Sequence, residues 1–327
     1  HHKRLTTESA LKLKKIDTEA GKIPLYVNGN GINGKTSVLL CAHAADTTLF
    51  GAELSFVDMV KAASSNGYNV VVALPSAENE LYLNSLKPYC SRIYFINDIW
   101  WQRGVSFSSE VLVQYKELFK AEDIALIHVN TMVQHNVYEA ARQQSIPVVT
   151  HVRELLSADA ALREALCTTA SEGYKRVVDN SYVVIANSQK MKRDILDCVA
   201  DYHGFNPKIR VIPNVFNIPE VGMRDVSCEL GEVVRFGLVS SNIAKKGVMD
   251  AIHLAALLEA EGINNAQIVL IGPKTDVIEK LEKEQGQGRH SLVKYIGYIS
   301  NPDEIYKNLD VVLNVSHFAE SFGRTVL

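Results

Sequence analysis

Short apolar runs alternate with amphipathic segments from residue 37 to the end of the chain. Runs such as SVLLCAHA (37–44), YNVVVALP (68–75) and SYVVIANS (181–188) are rich in β-branched residues and show no polar alternation, which is typical of buried parallel strands. The segments between them favour helices; residues 54–66, for example, place apolar side chains near helical spacing. This regular alternation predicts an α/β fold with parallel sheets.

The strand–helix alternation occurs twice, before and after a stretch that contains Pro219 and Gly222. The apolar residues of this stretch follow neither the helical nor the strand period. A length of 327 residues also suggests about two domains. We therefore predict an N-terminal domain (23–216), a linker (217–232) and a C-terminal domain (233–327).

Four segments have less regular patterns. The polar and charged residues 3–22 are predicted to form a helix or a loose tail, and residues 157–179 an irregular helix. A helix is predicted over 301–309, starting at an Asn cap. The closing run LDVVLNVS (309–316) is short and β-branched, so it is predicted to be a buried parallel strand.

Composition narrows the class of protein. The net charge is -3 and the pI about 6.4, so no basic surface for nucleic acid is expected. Five scattered cysteines without CxxC spacing favour reduced thiols in a cytoplasmic protein and argue against a zinc site. Two lysine-rich clusters, at 11–15 and 190–193, are interpreted as solvated helix faces; the alternative is weak peripheral contact with the inner face of the membrane.

Two loops in the first half of the chain are candidates for phosphate binding. GNGINGKT (29–36) is a formal match to the P-loop pattern, but a strand follows it where a P-loop needs a helix. A Gly/Asn-rich loop is the simpler interpretation, and a P-loop nucleotide hydrolase is the least favoured function. The loop that ends in Gly51 enters a helix instead, where a glycine lets the backbone approach a ligand closely.

Two strand ends carry further candidate chemistry. His151, Arg153 and Glu154 follow the apolar run that starts at residue 146, and ligands of open α/β sheets lie outside the carboxyl ends of strands. The histidine is a candidate general base or a donor to a substrate oxygen, and a hydrogen-bonded structural role is the alternative. Glu320 and Gly323 lie in a turn that is predicted to lead into a helix, whose N–H groups suit phosphate; an ordinary strand-to-helix turn is the alternative.

Five segments, taken in order, resemble the family-four retaining glycosyltransferases. The segments are FGAELSFVDMVKAASSNGYNVVVALP, IPVVTHVREL, SYVVIANSQKMKRDIL with IRVIPNV, FGLVSSNIAKKGVMDAIHLAALL, and YIGYISNPDEIYKNLDVVLNVSHFAESFGRTVL. The resemblance extends from about residue 37 to the end of the chain. It implies the GT-B fold, in which two Rossmann-like domains with parallel sheets face a cleft.

The resemblance also implies a reaction: transfer of a sugar from a nucleotide diphospho-sugar to a polysaccharide, lipid-linked or other glycoconjugate acceptor. The anomeric configuration would be retained, and no metal or other cofactor would be needed; UDP, GDP and dTDP remain open as the nucleotide. His151 and Glu320 would be catalytic, with Arg153 and Glu154 on the acceptor side. The donor diphosphate and sugar would be bound by Gly51, Lys246, Ser321, Phe322, Gly323, Arg324 and Thr325. The nucleobase side would be formed by Gly272, Pro273 and Tyr298.

The sequence departs from the family pattern in two respects that bear on activity. The arginine expected soon after Gly237 is absent; either Lys245 or Asn242 replaces it, or that phosphate contact is weaker. The sequence ends one residue before the family's second glutamate, so the C-terminal domain is expected to lack its last helices. The alternative functions are therefore a nucleotide-sugar-binding module without turnover or an inactive fragment.

Overall fold

The structure is a computed structural model that divides into two units, His1–Phe216 and Asn217–Leu327. The described residues are 14–18, 21–28, 36–43, 49, 51–76, 78–200, 208–214, 233–299, 301–307, 309–317 and 319–323. The predicted linker and nearly all of the P-loop-like segment lie outside these residues.

The first unit is built on a nine-stranded sheet with the order β1-β2-β5-β4-β3-β6-β7-β8-β9. Its strands are β1 Lys14–Thr18, β2 Gly21–Val27, β3 Ser37–Cys41, β4 Asn69–Leu74, β5 Arg92–Phe95, β6 Ile124–Val129, β7 Val148–Val152, β8 Val183–Ala186 and β9 Ile209–Val211. The strands from β3 onward pair in parallel, as their continuous apolar runs predict.

The first two strands correct the prediction for residues 3–22. Instead of a helix or tail, β1 pairs antiparallel with β2, which pairs antiparallel with β5. An antiparallel strand at the edge of a sheet needs few apolar residues, because it is not buried on both faces. The polar sequence of β1 therefore lacks the apolar run by which the inner strands are recognised.

Seven α-helices connect the described strands of this unit. They are α1 Gly51–Ser65, α2 Glu80–Leu86, α3 Ser109–Ala121, α4 Asn136–Gln143, α5 Ala160–Ala165, α6 Ala170–Asp179 and α7 Gln189–Cys198. The irregular helix predicted over 157–179 is two helices, because Thr169 and Glu172 form a capping box that starts α6. Helix α2, capped by Asn79, was not predicted from the sequence.

The sheet is packed on both faces. Val38 and Leu40 of β3 lie in the cluster that contains Phe56 of α1 and Leu83 of α2. Leu39, which lies between them in the strand, packs on the opposite face of the sheet with residues of α3 and α4. Successive side chains of a strand point to opposite faces, so a strand that is covered on both sides is apolar at every position.

Asp98 joins the loop after β5 to the start of α4. Its buried carboxylate accepts hydrogen bonds from the backbone N–H groups of Asn136 (3.0 Å) and Val137 (3.2 Å), and from the Asn136 side chain (2.8 Å). The Tyr115 hydroxyl donates a further bond, at 3.3 Å. One charged acceptor therefore satisfies two N–H groups at the first turn of α4.

We expect Asp98→Ala to lower the free energy of unfolding by about 3 kcal/mol, because buried donors lose a charged acceptor. Asp98→Asn, which keeps one acceptor oxygen, should lose less. Both tryptophans, Trp100 and Trp101, lie in this unit, so urea unfolding followed by tryptophan fluorescence reports on it. Asp197→Ala, at an exposed position of α7, is the control; an equal loss in both alanine variants would contradict the prediction.

The second unit contains a four-stranded parallel sheet with the order β12-β11-β10-β13. Its strands are β10 Val234–Val239, β11 Ala266–Ile271, β12 Val293–Gly297 and β13 Val311–Val312, and its helices are α8 Val248–Ala260, α9 Asp276–Gln285 and α10 Pro302–Ile305. The apolar faces of α8 and α9 pack on β10 and β11 in one core cluster.

Two predictions near the end of this unit were wrong. The helix expected over 301–309 covers only Pro302–Ile305. The expected buried strand is the two-residue β13, whose Val311 and Val312 are 38% and 37% exposed. In the described sheet β13 is an edge strand that pairs only with β10, so one of its edges has no neighbouring strand to cover it.

Candidate functional site

The first group of candidate residues is centred on Arg153, which follows β7. Its Nε donates to the backbone carbonyl and the side-chain oxygen of Asn130, at 3.1 Å each. Its Nη1 donates to Asn214 Oδ1 at 2.7 Å, and its Nη2 lies 3.2 Å from Met59 Sδ and 3.4 Å from His151 Nδ1. We call Asn130, His151, Arg153 and Asn214 the Arg153 cluster. It brings together the carboxyl ends of β6, β7 and β9.

His151 is 4% exposed and stacks on His128 of β6, with ring centroids 6.0 Å apart and an interplanar angle of 7°. Burial lowers the pKa of His151 well below its usual value, and the positive charge of Arg153 lowers it further. Burial likewise lowers the pKa of His128 to about 3. Both rings are therefore neutral at pH 7, and within the described residues neither Nε2 atom has a hydrogen-bond partner.

Glu154 is turned towards the backbone. Its carboxylate accepts the N–H of Arg153 at 3.0 Å and the N–H of Met132 at 3.5 Å. Burial raises the pKa of this carboxyl group, although the backbone N–H groups act in the other direction. The structure thus gives Glu154 a visible part in fixing the loop geometry around Arg153.

Gly51 is the first residue of α1, and the next residue connects it to the Arg153 cluster. The carbonyl of Ala52 accepts a hydrogen bond from Asn130 Nδ2 at 3.1 Å. In the same helical turn the buried Glu53 lies 3.4 Å from Nε2 of His43. Burial, followed by the charge of Arg153, lowers the pKa of His43 to about 4. The predicted residues Gly51, His151 and Arg153 therefore belong to one connected region of the first unit.

The second group of candidate residues is in the second unit, where Lys246 meets Glu320. Lys246 Nζ lies 2.6 Å from Glu320 Oε1, and the Ser316 hydroxyl donates to the same oxygen at 3.1 Å. The backbone N–H of His317 donates to the carbonyl of Lys245 at 3.0 Å. Two loops that are far apart in sequence are thus joined through both side chains and backbone.

Gly247 makes this approach sterically feasible. Its φ is +77°, and a Cβ atom at this position would lie 2.2 Å from the backbone oxygen of Val315. A side chain would therefore require a strained backbone and would separate the two loops. The close approach explains a glycine after Lys246, at the residue where α8 is capped.

The predicted nucleobase-side residues also lie together. Gly272 donates its N–H to the carbonyl of Gly297 at 3.0 Å, which places Pro273 and the 42% exposed Tyr298 on adjoining segments. A Cβ at Gly272 would lie 1.8 Å from the Ser240 carbonyl, so only glycine fits there.

Asn242 and Lys245, which were considered as replacements for the missing arginine, are in different environments. Asn242 is completely buried, and its side-chain N–H donates to the Pro273 carbonyl at 3.1 Å. Its own carbonyl accepts the Thr275 hydroxyl at 2.8 Å. The visible role of Asn242 is therefore to join the loop after β10 to the loop after β11, whereas Lys245 is exposed.

The end of the chain is described only in part. Ser321 and Phe322 form a bend that leads to the buried Gly323, whose φ is +77°. Arg324 and Thr325, which were predicted to contribute to donor binding, lie outside the described residues.

Sequence reasoning missed His43, His128 and Asn130, and quoted Asn214 only as part of a motif. Asn130 directly follows β6, so its place at a strand end was a usable signal. The contact of Arg153 with Asn214, 61 positions away, had no local signal in the sequence.

Among the described residues, no three or more His, Cys, Asp or Glu side chains are arranged to hold a metal ion. No described helix combines the length and apolar character needed to cross a bilayer.

Comparisons with solved structures identify the fold. A glycosyltransferase from Rickettsia africae has 14% identity and a TM-score of 0.60, with 90% of this chain and 76% of that chain covered. WaaG, a glycosyltransferase involved in lipopolysaccharide biosynthesis, has 12% identity and a TM-score of 0.60, with 88% and 77% covered. A trehalose-6-phosphate synthase, studied for glycosyl transfer with retention, has 11% identity and a TM-score of 0.56, with 86% and 78% covered. At these identities the likeness shows the fold alone, and it confirms the predicted α/β GT-B class.

Family models identify the family. The model described as "Glycosyltransferase Family 4" matches residues 51–218, and "Glycosyl transferases group 1" matches residues 234–327. The comparison with curated protein sequences gave no match. Because the two models together match most of both units, the chain belongs to the family-four, group 1 glycosyltransferases, as its sequence motifs predicted.

Proposed function

We propose that the protein transfers a sugar, with retention of configuration, from a nucleotide diphospho-sugar to a glycan or lipid-linked acceptor, without a metal ion. The observation that carries this proposal is the contact between Lys246 Nζ and Glu320 Oε1, at 2.6 Å. It unites a cation suited to a diphosphate with a carboxylate suited to sugar hydroxyls, inside the part of the chain that matches the group 1 model.

The chemistry assigns each of these groups a task. Cleavage of the bond between sugar and phosphate leaves negative charge on the diphosphate and positive charge on the sugar ring. Lys246 and the N–H groups after Glu320 stabilise the diphosphate, and Glu320 holds the sugar. The departing phosphate oxygen takes the proton of the acceptor hydroxyl, so no separate base is required.

The first unit supplies the acceptor side in this proposal. His151 and Arg153 lie at the carboxyl ends of its strands, where ligands of open α/β sheets bind, and Gly51 at the start of α1 lets the backbone approach a ligand closely. The likeness in fold to WaaG, which is involved in lipopolysaccharide biosynthesis, supports a glycoconjugate product, and the likeness to a synthase studied for glycosyl transfer with retention supports a retaining course. We place the reaction in the cytoplasm or at the inner face of a membrane.

The first experiment is a thermal-shift screen with UDP-, GDP- and dTDP-sugars, and with ATP-Mg as the comparison. The proposal expects one nucleotide sugar to raise the melting temperature in the presence of EDTA. Stabilisation by ATP-Mg and by none of the nucleotide sugars would contradict it.

The second experiment measures release of nucleoside diphosphate from the stabilising donor, with and without glycan and lipid-linked acceptors. Faster release with an acceptor, and an NMR spectrum showing the anomeric configuration of the donor in the product, are expected. Binding without release would show instead a nucleotide-sugar-binding module.

A further inference from the structure

We propose that Arg153 is a positioning residue that fixes His151 as the Nε2–H tautomer, so that His151 meets its ligand as a hydrogen-bond donor and not as a general base. The ligand, a sugar oxygen, rests on the proposed function. The tautomer does not, since it follows from contacts inside the first unit.

Arg153 Nη2 contacts His151 Nδ1 at 3.4 Å. A guanidinium group has five N–H donors and no acceptor, and it stays protonated in proteins. The contact is favourable only if Nδ1 presents its lone pair. The ring proton must then be on Nε2.

The guanidinium group of Arg153 is held in place from several sides. Asn130 accepts from Nε with two oxygens at 3.1 Å, and Asn214 accepts from Nη1 at 2.7 Å. Rotation of Arg153 away from the ring would break these bonds. Protonation of Nδ1 would therefore set two donors against each other in a buried place.

A positive charge on the His151 ring is opposed by burial and by the charge of Arg153. The parallel His128 ring, whose pKa burial lowers to about 3, is itself neutral. His151 therefore remains neutral, and only its tautomer is left to be fixed.

His151 Nε2 is buried and has no hydrogen-bond partner within the described residues. A buried donor without an acceptor is destabilising, so a ligand oxygen placed there would satisfy it. A general base would need the lone pair on Nε2, which the contact with Arg153 removes.

The tautomer can be measured without any activity. In protein labelled with ¹⁵N-histidine, the nitrogen shifts and their couplings to the ring protons identify which nitrogen is protonated. The His151 signals are assigned by their loss in His151→Gln, which is necessary among ten histidines. At pH 7.5 we expect a protonated Nε2 and an unprotonated Nδ1; a protonated Nδ1 would overturn the proposal.

Arg153→Gln tests the cause. An amide can donate or accept, so we expect His151 to show a mixture of tautomers in this variant. Arg210→Gln, at an exposed position of β9, is the matched control and should leave the spectrum as in the wild type. If His151 remains purely Nε2–H in Arg153→Gln, then Arg153 does not set the tautomer. The wild-type spectrum keeps the proposal testable if Arg153→Gln does not fold.

A kinetic comparison tests the donor role. Glutamine has a side-chain N–H and phenylalanine does not, so His151→Gln should retain at least tenfold more sugar transfer than His151→Phe. Equal loss in both variants, together with a pH profile that loses one ionisation, would identify a base and overturn the donor role. If no nucleotide sugar is cleaved by the wild type, the proposed function fails while the NMR result stands.

Discussion

Replacing Lys246 with methionine is expected to lower the rate of sugar transfer by about 10²–10³-fold, because one contact to the charge that develops in the transition state is lost. The side chain keeps most of its length and apolar stem, so the change removes charge rather than packing. Stability should change little. A partly exposed ion pair such as Lys246–Glu320, with side chains 23% and 29% exposed, contributes about 0–1 kcal/mol.

Lys246 donates a hydrogen bond to Glu320, so a donor that uses both groups has to replace this contact. Binding of the donor would exchange this contact for bonds from Lys246 to phosphate and from Glu320 to sugar. Glu320→Gln keeps hydrogen-bonding capacity but loses the charge, and it should also lower the rate.

The measurement is the release of nucleoside diphosphate at saturating donor and acceptor, with thermal melting of each variant as a check on folding. Lys307→Met is the matched control, because Lys307 forms an ion pair with Glu304 in the same unit and is more exposed. It should retain the wild-type rate. Unchanged turnover in both Lys246→Met and Glu320→Gln would refute the assignment of this pair.

The sequence was sufficient for the inner strands and for most of the helices. Leu39 and Leu40 show why: neighbouring residues are buried on opposite faces, and this produces the apolar run that identifies β3. The strands β1 and β13 lie at sheet edges, where burial imposes a weaker pattern, and both were predicted incorrectly; the edge strands β9 and β12, which keep the buried Ile209 and Val293, were recognised.

In the candidate site, too, some features could be predicted from the sequence and others could not. Lys246 and Glu320 were found separately from motifs, and the structure shows them in contact at 2.6 Å. The Arg153 cluster has no motif of its own, since its bonds join strand ends far apart in sequence. Pairwise contacts of this kind depend on the strand order, which periodicity does not contain.

Lowering the pH from 7.5 to 5.5 is expected to destabilise the first unit steeply, because it contains buried histidines that stay neutral. Burial lowers the pKa of His43 to about 4, that of His128 to about 3 and that of His151 well below its usual value. In the unfolded chain the same rings take up protons near pH 6.5. Below that pH the unfolded state binds more protons than the folded state, so the free energy of unfolding falls as the pH falls.

The size of the fall in the free energy of unfolding follows from the number of protons that the histidines take up when the chain unfolds. Each such histidine contributes about 1.4 kcal/mol per pH unit between its unfolded and folded pKa values, so three contribute about 4 kcal/mol per unit. The lowered pKa of His135 acts in the same direction. The raised pKa of Glu154 acts in the opposite direction, because its folded state takes up a proton at a higher pH than its unfolded state does.

Urea unfolding at pH 7.5, 6.5, 6.0 and 5.5, followed by fluorescence of Trp100 and Trp101, measures this slope in the first unit. Stability should be nearly constant above pH 6.5 and should fall below it. His128→Gln removes one titrating ring and should reduce the slope by about 1.4 kcal/mol per pH unit. His253→Gln, at an exposed position in the second unit, should leave the slope unchanged. A flat profile down to pH 5.5 would mean that these rings titrate in the folded state at the same pH as in the unfolded chain, which would contradict the lowered pKa values and the neutral His151 ring used in the donor assignment.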